Sequence, residues 1–489
     1  MIHRYRSLLF LFFSASFFIA AGSVIFYTYG YRFNFERGIF VYTGSLSLKT
    51  NIKTVTVKID NVIISEKRLG ILNDSIQVSG LHPGEHFVEV GTPGYKSWNK
   101  KIVIQSGLTT EFWNIFLTEE NPEQEPVPGT EQAIKMFPAP NGLFATVKKD
   151  GERYSVGVLD IGAETDEEVF STTEALFLPA LETNIEWSPE SHKLIVPLTK
   201  EGQPLYMITD IKEKTSFSLN ETVGMADTLQ APRWDATTKD FLFFLRGDTL
   251  YRLNTNTPKD VVESPAELVA EHVAAYDLSG NKLYYLSSID GLVYEINGHG
   301  NADTPKQTTP SPVAIDTHST YSLIVYDDTR LSVIEESTGK FMLYNEKAPV
   351  PLKELGRGVK SIQYSDDGKK LLYYTENEIS VYFNQAWEVQ PFRAADSIIQ
   401  VARFSAPIRN IQWTKDYEHV IFSLNGSVKI IELDNRDRRN MTDFAAFSSP
   451  LLQILTRFDE NAIYFVSENN TAPAVHRAKF TEQTGFFGL

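Results

Sequence analysis

Three residues near the start of the chain have the spacing of a zinc site. His82, Glu85 and His86 form H-x-x-E-H, a pattern that binds zinc in one class of peptidases when both histidines lie on one face of a helix. Pro83 and Gly84 lie between the histidines and disfavour a helix there. The following residues alternate like a strand, on which Glu85 and His86 would point to opposite faces. The sequence therefore predicts a turn leading into a strand, without metal.

Other patterns that could support chemistry are weak or missing. The segment DNRDRRNMTD, residues 434 to 443, contains three aspartates that could bind calcium, but three arginines compete with the ion, which favours a solvated turn. The chain has no cysteine, which excludes thiolate catalysis and cysteine zinc sites. The sequence also lacks G-x-S-x-G, the phosphate loop and the dinucleotide fingerprint. We therefore predict no catalytic residue, no cofactor and no metal.

The net charge of the chain limits its partners. The 489 residues carry a formal charge of -16, which repels phosphate backbones and anionic lipid surfaces. Nucleic acid is therefore excluded as a main partner. A chain of this length is expected to form two or three domains.

The first residues are typical of a membrane anchor. After a short tail, residues 1–6, the segment from Ser7 to Tyr29 contains 23 residues without a charge and is followed by a juxtamembrane segment, residues 30–43. As a helix it would be about 35 Å long, enough for a hydrocarbon core of about 30 Å. A cleaved signal peptide is the alternative, with small residues around Ala21, but the apolar run continues to Phe26.

The orientation of this anchor does not follow from charge alone. Arg4 and Arg6 precede the apolar run, and Arg32 and Arg37 follow it, so the two sides carry equal numbers of basic residues. Long domains cross membranes largely regardless of charge. We therefore expect a single-pass protein of the cell membrane, with its C-terminal domains outside the cytoplasm.

Residues 44–117 show the pattern of a small β domain. Short runs such as SLSLKT, VTVKID and KIVIQ alternate between apolar and polar residues, and turn residues separate them. No apolar face of helical length interrupts this pattern. The sequence predicts a small β-sandwich.

One stretch of this region, GLHPGEHFVEVGTPGYKSW, resembles the signature of the PEGA domain. The matching positions are Leu81, Pro83, Gly84, Gly94, Tyr95 and Trp98. Asn61 stands where the family usually has a glycine, and the Pro-Glu-Gly-Ala tetrapeptide is missing. The resemblance implies a non-catalytic module of the kind found on bacterial and archaeal envelope proteins.

The rest of the chain carries a repeat. Residues 118–132 are acidic and rich in proline and are interpreted as a semi-extended linker. From residue 133 to 489, a strand, a bulky or polar anchor, a turn and a second strand recur every 40 to 50 residues, which indicates a β-propeller. The anchors are Phe137, Trp187, Trp234, Tyr276, Asp316, Tyr364, Trp413 and Phe458. Eight anchors favour eight blades, with seven as the alternative, and the region resembles TolB-like and WD40-like propellers.

These observations predict an all-β protein with one N-terminal transmembrane helix and a binding function. We expect a membrane-anchored envelope scaffold without catalysis, whose propeller binds another envelope protein while the small domain acts as a spacer near the bilayer. The first alternative is a propeller enzyme, a lyase or hydrolase, with its site in the central channel. The second is a structural surface protein or a glycan binder, because 32 Phe and 22 Tyr could form a carbohydrate platform, although their alternating positions favour packing inside the blades.

Overall fold

A long helix opens the chain. The computed structural model describes residues 2–34, 38–64, 75–177, 185–224, 228–256, 266–297, 304–447, 451–457, 460–469 and 472–480. Helix α1 (Ile2–Thr28) contains the one segment of these residues, Leu9–Thr28, that is long and apolar enough to cross a membrane, and none of it is buried inside the protein. Its 20 residues would span about 30 Å at about 1.5 Å per residue.

A short hairpin follows α1 where the sequence analysis predicted only an undivided juxtamembrane segment. Strands β1 (Tyr31–Asn34) and β2 (Ile39–Tyr42) pair antiparallel, with Tyr31 opposite Tyr42 and Phe33 opposite Phe40. Strands of four residues are too short to give a recognisable period in the sequence.

The small domain is built from two sheets packed face to face. One sheet has the order β6-β3-β9 and the other β5-β4-β7-β8, and β3 pairs with β9 in parallel. Alternate residues of these strands point inward and form one apolar core. The strands are β3 (Gly44–Thr50), β4 (Thr56–Ile59), β5 (Val62–Ile64), β6 (Ile76–Leu81), β7 (Gly84–Gly91), β8 (Trp98–Ile104) and β9 (Thr109–Ile115).

A tight turn joins β4 and β5 at Asp60 and Asn61. Both residues have a positive φ, 51° and 66°, as a two-residue hairpin turn requires. Asparagine tolerates this left-handed conformation better than most residues other than glycine. The asparagine therefore fits a position where the resembling family usually has glycine.

After the small domain, the described residues form eight successive antiparallel sheets, each with a core of four strands, in a propeller-like arrangement. The first two sheets contain β11 (Ala133–Pro138), β12 (Phe144–Asp150), β13 (Arg153–Asp160) and β14 (Thr165–Thr172), then β15 (Leu176–Phe177), β16 (Glu186–Trp187), β17 (Lys193–Lys200), β18 (Gln203–Asp210) and β19 (Thr215–Ser218), followed by the short helix α2 (Leu219–Thr222). The third and fourth contain β20 (Leu229–Trp234), β21 (Phe241–Arg246), β22 (Thr249–Asn254) and β23 (Ala266–Ala270), then β24 (Val273–Ser279), β25 (Lys282–Ser287), β26 (Val293–Asn297) and β27 (Lys306–Gln307).

The remaining four sheets continue in the same way. The fifth and sixth contain β28 (Tyr321–Asp327), β29 (Arg330–Glu335), β30 (Lys340–Asn345) and β31 (Leu352–Gly356), then β32 (Val359–Tyr364), β33 (Lys370–Thr375), β34 (Glu378–Phe383) and β35 (Ile398–Arg403). The last two contain β36 (Arg409–Trp413), β37 (His419–Leu424), β38 (Ser427–Glu432) and β39 (Met441–Ala446), then β40 (Leu451–Arg457), β41 (Ala462–Asn469), β42 (Ala472–Lys479) and β10 (Gln124–Pro126).

Contacts between the sheets close this array on itself. The innermost strand of each sheet contacts the innermost strand of the next sheet. The contact is a hydrogen bond, an ion pair or an aromatic stack. The contacting pairs are Phe137–Trp187, Glu186–Trp234, Arg233–Asp277, Asp277–Val325, Tyr326–Tyr364, Gln363–Ile411, Gln412–Ile454 and Gln453–Met136. Because the last pair joins the eighth sheet to the first, the contacts run in a closed ring.

The segment interpreted as a linker supplies the outermost strand of the last sheet. Strand β10 pairs antiparallel with β42, and Val127 beside it is buried. The backbone N–H of Val127 donates to the Val475 carbonyl at 3.0 Å. This strand was not predicted from the sequence, because three polar or proline residues carry no apolar period.

One of the eight repeat anchors was wrong. Asp316 does not lie on a first strand. It lies in the turn before β28, where its carboxylate accepts a hydrogen bond from the backbone N–H of His318 at 2.9 Å. Tyr326 of β28 stacks on Tyr364 instead, with ring centroids 5.1 Å apart. The turn residues after Asp316 resemble those of the other repeats. This similarity placed Asp316 at the anchor position in place of a residue of β28. Phe458 lies outside the described residues.

Candidate functional site: the interdomain contact

The small domain is docked on the sixth and seventh propeller sheets. Strands β8 and β9, one edge strand from each of its sheets, supply two sets of contacts. Strand β8 meets residues 432–440, which connect β38 to β39, and β9 meets residues 387–393, which connect β34 to β35. Both propeller segments are hairpin connections, the positions at which propellers display variable surface.

A buried lysine occupies the first of these contacts. Lys100 lies on the inward-facing side of β8, and its side chain is 0% exposed. Its Nζ is 2.7 Å from Glu432 Oε1 and donates to the carbonyls of Asp434, Arg436 and Arg438 at 2.9, 2.9 and 2.7 Å. A buried ammonium is unfavourable unless charge and hydrogen bonds compensate it, and here four oxygens surround its three N–H donors.

Residues 434–443 are only in part the solvated turn that the sequence predicts, because Asn435, Asp437 and Arg438 are exposed while Asp434 is buried. The carbonyls of this segment converge on a cation, as those of a calcium loop would, but the cation is the side chain of Lys100. The backbone N–H of Lys101 also donates to Asp437 Oδ2 at 2.9 Å. Sequence inspection could not find the partner because it lies more than three hundred residues away.

The electrostatics of the segment favour ionised acids. Burial opposes the ionisation of Asp434, but its hydrogen bond to Arg436 and the charges of Arg436 and Lys100 outweigh burial, so the pKa of Asp434 lies below its ordinary value. Arg436 also places its guanidinium 3.7 Å from the centre of the Phe112 ring, and one N–H donates to the Glu111 carbonyl at 2.7 Å. The charge of Arg436 therefore bridges the two domains.

Trp98 belongs both to the core of the small domain and to this contact. It is 3% exposed and packs edge-on against Phe112, with centroids 5.0 Å apart. Its indole Nε1 donates to Glu432 Oε2 at 2.9 Å, while the other oxygen of Glu432 accepts from the backbone of Asn440 at 2.6 Å. The glutamate is thus held by the indole on one side and by its own hairpin on the other.

Gln390 covers the edge of β9 in the second contact. Its side-chain amide donates to the Thr109 carbonyl at 3.0 Å and accepts from the Glu111 N–H at 3.1 Å, as a neighbouring strand would. Its own carbonyl accepts from Trp113 Nε1 at 3.2 Å. Unpaired strand edges promote association with other chains. The Gln390 side chain satisfies two backbone groups on the open edge of β9.

His419 lies beneath the contact. It is buried, its Nδ1 is 2.9 Å from Asp416 Oδ2, and its ring is 5.6 Å from that of Phe116 of the small domain. Burial lowers the pKa of His419, but the charge and hydrogen bond of Asp416 outweigh it and raise that pKa above the ordinary value. Burial opposes the ionisation of Asp416 as well, yet its pairing with His419 lowers the pKa of Asp416 to about 2.

The H-x-x-E-H residues lie on a strand and its approach. The Nδ1 of His86 is 2.7 Å from Asp60 Oδ2, and its Nε2 is 2.7 Å from the His82 carbonyl. Both ring nitrogens are therefore engaged within the domain, and Glu85 points to the other face of β7. Among the residues that the structure describes, no group of three or more His, Asp or Glu is arranged to hold a metal ion.

The remaining residues of the PEGA-like signature lie around the core of the small domain. Leu81 ends β6 and, like Tyr95, packs against that core. Gly84 begins β7 at φ 139° and Gly94 has φ 84°, both values that favour glycine. Pro83 is exposed in the approach to β7.

The anchors of the repeat lie between neighbouring sheets. Each tryptophan is buried, and its indole N–H donates to a carbonyl on the first strand of an adjacent sheet. These bonds join Trp187 to Phe137, Trp234 to Glu186 and Trp413 to Gln363, at 3.1, 3.2 and 3.1 Å. The two tyrosine hydroxyls also bond to a preceding sheet, that of Tyr276 to the Phe243 carbonyl at 3.0 Å and that of Tyr364 to Ser332 Oγ at 2.9 Å.

Charged side chains on three adjacent first strands form a chain of ion pairs. Arg233 lies 3.3 Å from Glu186 Oε2 and 2.8 Å from Asp277 Oδ1. Burial raises the pKa of Glu186 and lowers that of Arg233, but the two carboxylates outweigh burial at the arginine, whose pKa lies above its ordinary value. Glu186 also accepts a hydrogen bond from the Trp234 N–H at 2.9 Å. These charged groups therefore bind one another and join adjacent sheets of the closed ring.

Comparisons with known proteins give only weak similarities. No family model matches the chain, and no curated protein matches it. The dihydro-heme d1 dehydrogenase NirN is 11% identical over 72% of this chain and 75% of its own, with a TM-score of 0.44. Hsv2 of Kluyvelomyces marxianus is 9% identical over 65% and 99%, with a TM-score of 0.40. An oligogalacturonate lyase in complex with manganese is 12% identical over 72% and 98%, with a TM-score of 0.36.

Proposed function

We propose that this chain is a single-pass, membrane-anchored binding protein of the cell envelope. In this proposal α1 crosses the membrane, the PEGA-like small domain stands outside the cytoplasm, and an eight-bladed propeller binds another envelope protein. The observation that carries the proposal is the buried contact through Lys100, which fixes the propeller to the domain that adjoins the helix. A spacer would leave the propeller free to turn, whereas this contact gives it one orientation relative to the anchor.

The polar residues of the inner ring support binding at the surface over chemistry in the central channel. Gln363, Gln412 and Gln453 all donate to a carbonyl of the neighbouring first strand, at 2.8, 2.5 and 2.9 Å. They hold the ring together, as the pairs of Arg233 do. The hairpin connections of the sheets are then the surfaces that vary, as in other proteins that carry binding loops on a rigid scaffold.

The abundant aromatic residues also support a packed scaffold. Many of the largest fully buried side chains are aromatic and lie on the second and third strands of the sheets. They include Phe144, Phe243, Phe244, Tyr284, Phe341, Tyr382, Phe422, Tyr464 and Phe465. Because these rings fill the core, they do not form a carbohydrate platform, and a glycan ligand would have to be bound by other residues.

Membrane extraction and protease access test the topology. The full chain is expected to stay in the membrane pellet after a carbonate wash, and protease added outside spheroplasts is expected to remove everything after α1. Full protection of the body would reverse the orientation. A soluble mature form that begins after Ala21 would show a cleaved signal peptide and contradict the anchor.

Site-specific crosslinking tests the binding role. Ile289 and Val350 are apolar residues that are 72% and 56% exposed. Ile289 lies between β25 and β26, and Val350 lies between β30 and β31, so the two connections are at opposite ends of the strands. A photoreactive residue at one of these positions is expected to capture a defined envelope protein in intact cells, while the other serves as the matched control. Capture of no protein at any propeller connection would contradict the proposal.

The enzyme alternative has one observation in its favour, the ion-pair chain of Glu186, Arg233 and Asp277 on the inner strands. It predicts turnover of a polysaccharide or peptide substrate. That turnover would fall in Glu186→Gln by more than the loss of folded protein, which is measured in parallel because Glu186 also holds the ring.

A further inference from the structure

The hairpin β1–β2 presents aromatic residues on one face only. Because Tyr31 pairs with Tyr42 and Phe33 with Phe40, all four rings lie on the same side of the hairpin. Their centroids are 5.0 Å apart in the tyrosine pair and 5.2 Å apart in the phenylalanine pair. Phe33, Phe40 and Tyr42 are 41%, 62% and 40% exposed, so large apolar surface remains open to the surroundings.

This aromatic face continues the surface of α1. Phe26, in the last two turns of the helix, lies 4.6 Å from the ring of Tyr31 and 5.7 Å from that of Phe40. The apolar segment Leu9–Thr28 has about the length of the hydrocarbon core and ends with the helix, so the hairpin begins within a few ångströms of the membrane boundary. Tyrosine and other aromatic rings are favoured at that boundary.

The hairpin is held by the protein from both faces. On the aromatic face, the Tyr42 ring packs on Gly107 of the small domain, where an added Cβ would lie 2.3 Å from that ring. Arg32 places its guanidinium 3.5 Å from the centre of the Tyr27 ring and donates to the Tyr27 carbonyl at 2.8 Å. That carbonyl, at the end of the helix, also accepts the Gly30 N–H at 3.1 Å. Thr43, just after β2, donates through its N–H to the Gly30 carbonyl at 3.0 Å. These contacts hold the hairpin against the helix end and leave the rings of Phe33 and Phe40 41% and 62% exposed.

We propose that β1–β2 is a second membrane contact, a hairpin that inserts its aromatic face into the headgroup region of the bilayer beside the point where α1 leaves it. The inference rests on the proposed membrane anchor and adds a lipid surface as the partner of the hairpin. Because the hairpin also contacts the small domain, it would prevent the body from tilting on a single helix. A second copy of the chain is the competing occupant of this face.

The absence of cysteine makes a direct test possible. The chain contains no cysteine, so one introduced cysteine is the only site that a nitroxide reagent labels. We would label Phe40→Cys on the hairpin, Phe18→Cys in the helix and Val62→Cys on β5, which are 62%, 71% and 61% exposed in the parent. Each full-length variant would be reconstituted in phosphatidylcholine vesicles, and its collisions with oxygen and with a water-soluble nickel chelate would be measured.

The label at position 40 is expected to collide with nickel several-fold less than the label at position 62, and with oxygen more. A label at position 40 that behaves like that at 62, while the label at 18 is shielded from nickel, would overturn the hairpin contact and leave the anchor standing. A label at position 18 that is open to nickel would overturn the anchor itself. Spin–spin broadening at position 40 that disappears on dilution into excess lipid would show a second copy on this face and also overturn the inference.

Phe33→Cys provides a second position on the same face if Phe40→Cys fails to fold, and Ile39→Cys reports from the opposite face. The ratio of oxygen to nickel collisions is expected to be higher at position 33 than at 39. Equal ratios at both positions would contradict one-sided insertion.

Discussion

Lys100 shows how one side chain can join two domains that are distant in sequence. Its ammonium donates to three converging carbonyls of residues 434–438, so a side chain of the other domain satisfies this loop. The partner carboxylate of Glu432 is equally buried. A buried pair of this kind is sensitive to the loss of either partner, since the other is left uncompensated.

Lys100→Met is therefore expected to destabilise the protein by about 3–5 kcal/mol, because it leaves Glu432 buried without its cation. Chemical denaturation measures this loss. Lys101→Met is the matched control, since the side chain of Lys101 is exposed and its bond to Asp437 uses the backbone N–H. Adding Glu432→Gln to Lys100→Met should restore part of the stability, as expected for coupled residues. Equal stability of Lys100→Met and Lys101→Met would contradict the role of the buried charge.

The pair of His419 and Asp416 makes stability depend on pH. The raised pKa of His419 means that its contribution is complete below its unfolded value near 6.5 and is lost as pH rises through the higher folded value. The lowered pKa of Asp416 means that its contribution is present above 3.8 and is lost as pH falls towards about 2. The melting temperature should therefore decline as pH rises beyond about 6.5, and His419→Gln should reduce that decline.

His318→Gln is the control for this experiment, because the side chain of His318 is 93% exposed. A pH profile that is the same in the parent and in His419→Gln would show that the buried histidine does not titrate with folding.

At the scale of single elements, the three tryptophans couple each sheet to the one before it. Trp413→Ala removes a side chain that is 4% exposed and should cost about 3–5 kcal/mol. Trp413→Phe keeps a ring but loses the bond to the Gln363 carbonyl, so it should cost less, with about 1 kcal/mol from the hydrogen bond. Thermal or denaturant unfolding measures both. Phe392→Ala, at a ring that is 67% exposed, should be nearly neutral, and a similar loss there would contradict the assigned role.

Strands could be predicted where the residues that define them are adjacent in sequence. The strands around Trp187, Trp234 and Trp413 could be predicted because anchor, turn and strand are adjacent in sequence. Strand β10 could not, because three polar or proline residues become a strand only against β42. Lys100 gave one usable signal, a charged residue at an inward position in the alternating run of β8, but nothing in the sequence identified its partner.

Docking makes the small domain and the propeller parts of one structure, so each should stabilise the other. A fragment of residues 44–118 is expected to melt at a lower temperature than the same domain in the full chain, since β8 loses the partners of Lys100 and Trp98 and β9 loses Gln390. Hydrogen exchange should show the largest loss of protection along β8 and β9 and a smaller loss in β3. Equal protection of all strands in fragment and full chain would mean that the contact contributes little.

The pairing of β10 with β42 also sets an order of events during synthesis. The bond from the Val475 N–H to Thr130 Oγ1 joins residues 345 positions apart, and the earlier one is made first. At about 5–20 residues per second, the ribosome needs roughly 17 to 70 s to supply the later one. During that time α1 and the small domain have already emerged, while the propeller has an open strand edge that can pair with other chains. Nascent chains that stop before β42 should therefore be the forms of this protein that depend most on chaperones and are degraded fastest.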